Sequence, residues 1–248
     1  MLNVMRASFY KMFRDKAFWI SIAGTACWAM IVIMAQVLTS KARGISDVSQ
    51  LANRWYGFIG LHSIEIPLII SAVLLFSGEF RDKSWKLLIA KGISKTSYFF
   101  SKLISMLCLT VIISFVSILT LAIGNVALLH ATMDASYVGN VLKFFLGETI
   151  AHCSIAVLTI MIICIVKRGE IASMICLFLM IFGYVIFHGL EAALSLGEVI
   201  TDFWAFSQTA FVDFGGPVTW GRMVLTFLGY LATCSLIAVL FLKNRDVE

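Results

Sequence analysis

Hydrophobic positions along this chain fall into long runs separated by short, charged gaps. A helix needs about 20 apolar residues to cross a hydrocarbon core. Residues 18–38 and 103–129 reach that length without a charge. Residues 55–76 reach it with His62, Glu65 and Pro67 inside, residues 145–166 with Glu148 and His152, and residues 171–190 with His188. Residues 224–242 complete six predicted spans, which place both ends of the chain on one side. The pattern predicts an all-α, polytopic membrane protein whose residues 1–248 form one transmembrane domain.

Two stretches depart from the simple span. In residues 1–16, Leu2, Met5, Phe9, Met12 and Phe13 recur at helical spacing among Arg6, Lys11 and Arg14. That predicts an amphipathic helix lying in the membrane interface. Residues 191–221 mix Glu198, Asp202 and Asp213 with Phe203, Trp204, Phe206, Phe211, Phe214 and Trp220, and close on the turn signal Gly215-Gly216-Pro217. Their apolar content predicts a short helix or helical hairpin dipping back into the outer leaflet. Backbone at that depth must be helical or buried in protein.

Composition agrees. The chain is 60% hydrophobic and 13% charged, with mean hydropathy +0.97. Soluble domains run at about 45–50% apolar and about 25% charged. The polar gaps leave no room for a separate soluble domain, and the charged N-terminus does not read as a cleaved signal peptide. The net charge of +5 sits in short loops beside apolar runs, where it sets topology and does not point to nucleic acid. Arg6, Lys11, Arg14, Lys16, Arg81, Lys83, Lys86, Lys91, Lys95, Lys102, Lys167, Arg168, Lys243 and Arg245 share one side. Only Lys41, Arg43, Arg54, Lys143 and Arg222 fall on the other. Basic loops stay cytoplasmic, so both termini are expected inside the cell. The six cysteines all lie in apolar stretches without zinc-site spacing and read as buried thiols.

The basic segment at 79–102 stands out. On one continuous helix, Glu79, Asp82, Lys83 and Lys86 share a side, while Phe80, Trp85, Leu87, Leu88 and Ile89 cover the remaining arc, with Arg81 the exception. The apolar arc would press on membrane-proximal helix ends, leaving the charged side, or Trp85 at its border, for a cytosolic partner. Gly92 ends this helix and Ser94 caps the next. A purely interfacial anchor is the competing reading.

The order Glu79, then a short helix, then Ile93-Ser94-Lys95, Tyr98 and Lys102 resembles the type 2 ABC transporter permeases. Lys83-Ser84 stands where that family has Gly-Thr. The interfacial N-terminal helix and the long outer segment before the last span are similar to the family too. The resemblance implies a coupling helix at about 79–90, with Glu79, Phe80, Arg81, Lys83, Trp85, Lys86 and Leu88 meeting a separate ATP-binding subunit. That subunit would hold ATP and Mg, because this chain carries no Gly-x-x-x-x-Gly-Lys-Ser/Thr loop. It further implies a second permease copy or paralogue, a bacterial plasma membrane and an exporter role. Short chains with no fused motor look most like bacitracin-type and lantibiotic-immunity permeases, whose substrates are antimicrobial peptides.

Ionisable groups inside spans are costly and usually purposeful. Glu65 lies three residues from His62, and His152 four from Glu148, so each pair shares a helix face. One reading makes His62, Glu65, Glu148 and His152 a polar substrate pathway. The other lets the two acids reach interfacial water near span ends. Glu198, Asp202, Trp204 and Asp213 are candidates for capturing a cationic, amphipathic peptide at the outer leaflet. A metalloprotease reading fails for want of His-Glu-x-x-His, and no metal site is expected. Two further classes stay open: a non-transport scaffold or sensor with a basic partner-binding loop, and a secondary carrier, for which no internal repeat is evident.

Overall fold

The computed structural model describes residues 2–42, 64–82, 84–129, 133–195, 197, 199–212 and 218–244. Among these the chain is helical, apart from turns and a single antiparallel bridge between Val212 and Val218. The first helix, α1 (Leu2–Arg14), is the expected amphipathic one, with Met12 buried and Tyr10 and Phe13 exposed. Asp15 breaks the chain and accepts from the Ala17 N–H at 2.9 Å, which opens α2 (Lys16–Ala42).

Helix α3 (Glu65–Phe76) is the described part of the second predicted span; residues 55–63, with His62, lie outside the described residues. Two short helices follow, α4 (Gly78–Arg81) and α5 (Ser84–Ala90). The remaining long helices are α6 (Lys95–Leu129), α7 (Ala135–Val166), α8 (Gly169–Leu194) and α10 (Trp220–Asn244). Between the last two lie α9 (Val199–Asp202) and a 3-10 helix (Ala205–Phe211). Helices α2, α6, α7, α8 and α10 are each long and apolar enough to cross a membrane.

Helix α7 is the hub. It packs against α10, α6, α3, α8 and the 3-10 helix. Of its apolar window 72% is buried, against 22% for α8 and 17% for α10. Its start is fixed by Asp134, which accepts from the Tyr137 N–H at 2.6 Å. A hub helix cannot bury bulk everywhere: at Gly147 an added Cβ would sit 2.8 Å from Val212, so the outer segment rests directly on α7 there.

That outer segment is not a helical hairpin over its described part. It is a compact cap of one helical turn, a 3-10 turn and the Val212–Val218 bridge. Trp204 is buried against Phe187, with ring centroids 4.6 Å apart, and against Gly183, where a Cβ would meet the indole at 2.8 Å. All six thiols are free, and Cys164, Cys176 and Cys234 are buried.

Candidate functional site

The segment leaving α3 departs from the single helix expected at 79–90. Asp82 ends α4 after one turn, with φ −83° and ψ 2° outside the helical basin, and a new helix starts at Ser84. This break rotates the two turns relative to each other. Glu79 therefore leaves the charged side and points inward, 5% exposed. Gly92, at φ +88°, turns the chain at the end of α5, a conformation glycine takes without the Cβ penalty. Ile93 N–H then returns to the Leu88 carbonyl at 3.2 Å. Ser94 Oγ accepts from the Ser97 N–H at 3.1 Å and caps α6, as its position in the sequence predicts.

Glu79 ties three helices together. Its Oε1 accepts from Lys11 Nζ of α1 at 2.9 Å and from Lys102 Nζ of α6 at 2.7 Å. Its Oε2 accepts from the Tyr98 hydroxyl at 2.9 Å. Burial alone raises the carboxyl's pKa, but the charges and hydrogen bonds of Lys102 and Lys11 outweigh it and hold the group below its ordinary value. A second tie, Ser8 Oγ to Ser101 Oγ at 2.8 Å, fastens α1 to α6 nearby.

Around this carboxylate the aromatics form a continuous cluster of tilted and edge-on rings. Phe80 lies between Trp85 at 5.8 Å and Tyr98 at 6.2 Å. Lys102 Nζ sits 5.7 Å above both the Phe76 and the Tyr98 rings, and Lys167 Nζ sits 4.3 Å from the Trp85 ring centroid. Phe80 and Trp85 are therefore the buried footing of the segment. Arg81 and Asp82, paired at 3.3 Å, are exposed, Lys86 and Leu88 are half-buried, and Lys83 lies outside the described residues. Leu87, which the helical wheel assigns to the membrane-facing arc, is 65% exposed. Its signal in the sequence, an aliphatic residue between Lys86 and the half-buried Leu88, is readable only once α5 is known to start at Ser84.

A second polar group lies deep in the hub. Glu65, Glu148 and His152 are all fully buried. His152 Nδ1 lies 2.5 Å from the Glu148 carbonyl and 3.4 Å from its Oε2, so the pair shares a face as expected. Glu65 comes across from α3 within electrostatic range of Glu148. Glu148 stands about 20 Å along α7 from Ala135, at about 1.5 Å per residue. Its side chain is enclosed by neighbouring helices and not open at the surface of the described residues.

The outer candidates divide. Glu198 and Asp213 lie outside the described residues. Asp202 is ion-paired with Arg222, whose Nε also donates to the Asp202 carbonyl at 3.2 Å. Trp204 is buried. Both help build the cap: Trp204 is enclosed within it, while the Asp202 side chain remains 37% exposed beside Arg222. The residue that organises the cap is Glu191, a lone acid in an apolar run. It accepts from Ile200 N–H, from Thr201 N–H at 2.9 Å and from Thr201 Oγ1 at 2.7 Å. Gln208 Nε2 donates to the Asp202 and Trp204 carbonyls at 2.7 and 3.1 Å, and Ala205 N–H donates to the Tyr230 hydroxyl of α10 at 3.2 Å.

No curated protein matches the chain. The family model described as ABC-2 family transporter protein matches residues 4–185, which spans α1 through most of α8 and includes the Glu79 network. An all-helical, multi-span body and a match over well over half of the chain place this protein in the ABC-2 family, as a membrane-spanning permease subunit of an ABC transporter.

Proposed function

We propose that this permease is the membrane half of an ATP-driven exporter in a bacterial plasma membrane. A separate cytosolic subunit binds ATP and Mg and drives it through residues 78–94, and a second permease, identical or paralogous, completes the unit. The observation that carries this reading is Leu87. It is an exposed aliphatic side chain beside exposed Arg81 and Asp82, on a segment anchored from below by Glu79, Phe80 and Trp85. A projecting apolar knob on a rigid base can transmit force; on a flexible loop it could not.

The transported class we infer is a cationic, amphipathic compound of the antimicrobial-peptide kind, which makes this a self-immunity or resistance permease. Negative charge at Glu198 and Asp213 favours such a compound at the outer face, and the Glu65, Glu148 and His152 group offers the interior a neutralising partner for its positive charge. That group is sealed from solvent, so access requires α3 and α7 to part.

The test is purification of the tagged chain in mild detergent from cells expressing its native operon. A stoichiometric ATP-binding subunit with ATPase activity is expected. Leu87→Asp should cost at least about tenfold in that association, since an interface anchor carries about 2 kcal/mol or more, while membrane insertion is unchanged. A chain that purifies alone and lacks nucleotide-dependent behaviour would instead favour the scaffold or carrier reading.

A further inference from the structure

The reading just proposed sends motor movement into residues 78–94. The route from α4 and α5 to α1 and α6 runs through Glu79. The structure contains a second contact, on the other side of the segment, that the Glu79 network does not explain.

Lys167 caps the C-terminal end of α7 in the left-handed conformation, φ 58° and ψ 9°, with its N–H donating to the Ile163 carbonyl at 2.9 Å. Glycine is the ordinary residue there, because a Cβ is disfavoured at positive φ. The chain keeps a lysine, and its side chain reaches the buried Trp85 ring, with Nζ 4.3 Å from the centroid. Cation–π attraction is strongest over tryptophan and grows as the ring is desolvated. Two residues on, at Gly169, an added Cβ would come within 2.5 Å of Ser77 Oγ and 2.9 Å of Ser77 Cβ. The α7–α8 connection thus grips the segment at two points, Ser77 before α4 and Trp85 in α5.

What lies farther along these helices gives the grip a consequence. Gly147 of α7 seats Val212, and Gly183 of α8 seats Trp204. The same two helices whose connection holds Trp85 carry the cap several turns away.

We propose that Lys167 is a positioning residue for coupling: with Gly169 it makes the α7–α8 connection a second arm that delivers displacement of α5 to the outer cap, in parallel with the Glu79 tie to α1 and α6. The inference rests on the reading of 78–94 as the drive segment.

The experiment uses the permease with its ATP-binding subunit in proteoliposomes. A cysteine is placed at Ala193, exposed at the cap end of α8, in a background whose exposed Cys27 is replaced by alanine. The rate of maleimide labelling is read with and without ATP and vanadate. Lys167→Gly should keep the complex and hold thermal stability at or above the parent's, because glycine suits the left-handed cap. It should shrink the nucleotide-dependent change in labelling at least about fivefold, the low end of ordinary coupling energies. Lys167→Arg, which keeps a cation able to stack on Trp85, should restore the change. A full response in Lys167→Gly overturns this inference and leaves the drive-segment reading intact. So does an equal loss of stability and response in both variants, which would mean a structural role alone. A parent with no nucleotide response overturns the drive-segment reading and this inference together.

Discussion

One carboxylate, Glu79, decides how the segment after α3 is held. It serves Lys11, Tyr98 and Lys102 at once, and Lys102 is itself buried. Removing one partner of a buried ion pair strands the other, at a cost of about 3–5 kcal/mol. Glu79→Gln is expected to lower the melting temperature in detergent accordingly, whereas Lys11→Gln, at a half-exposed position, should cost well under that. The pH dependence follows from the direction of the shift. Glu79 is held below its ordinary pKa, so the unfolded chain takes up its proton first as pH falls. The stabilisation is therefore complete at neutral pH, begins to fall at the ordinary carboxylate range and is lost as pH drops through the lowered value of the folded state. The acid limb of the stability curve should be shallower in Glu79→Gln than in the parent. Equal slopes would mean that another group dominates acid unfolding. The sequence marks Glu79 as special, yet a helical wheel over 79–89 puts it on the solvent side. The misplacement has one cause, the break at Asp82, which hydropathy does not register.

At the scale of elements, the cap at 191–212 is organised by a side chain that no motif announces. Glu191 bonds the free N–H groups at the start of α9 and the Thr201 hydroxyl together. Glu191→Gln is expected to speed hydrogen exchange across residues 199–212 while leaving α6 unchanged, and exchange mass spectrometry resolves the two. Unchanged exchange in the cap would shift its stability to Trp204 and the Asp202–Arg222 pair. The helices were legible as apolar runs, but their ends were not. Helix α6 begins at Lys95 and α7 at Ala135, each about eight to ten residues before its apolar run, because a helix continues into the interface as long as its backbone is satisfied. Capping residues mark those starts better than hydropathy: Ser94 and Asp134 stand at them.

For the whole molecule, the distribution of basic residues predicts the sides. A reporter fused to the C-terminus is expected to read cytoplasmic, and so is one at the N-terminus. A C-terminus read outside would mean that residues 55–76 do not cross. Fold class was legible because hydropathy reports compatibility with lipid. The hub was not, since α7, α8 and α10 have similar hydropathies of 2.5, 2.3 and 2.2 although their burial differs about threefold to fourfold. Hydropathy does not distinguish a protein neighbour from a lipid one. The interior acids gave the better hint, since Glu148 and His152 lie on α7, whose apolar window is the most buried among the described long helices.

That contrast between a sealed α7 and an open α8 and α10 has a consequence for natural variation. Met174, Phe178, Ile181 and Val185 on α8, and Leu225, Leu228, Leu236 and Leu240 on α10, are each about half or more exposed among the described residues. Exchanges among aliphatic and aromatic residues there leave the hub's packing untouched. Such exchanges alter only what the rim presents to its surroundings. The perimeter thus tolerates change that the centre does not.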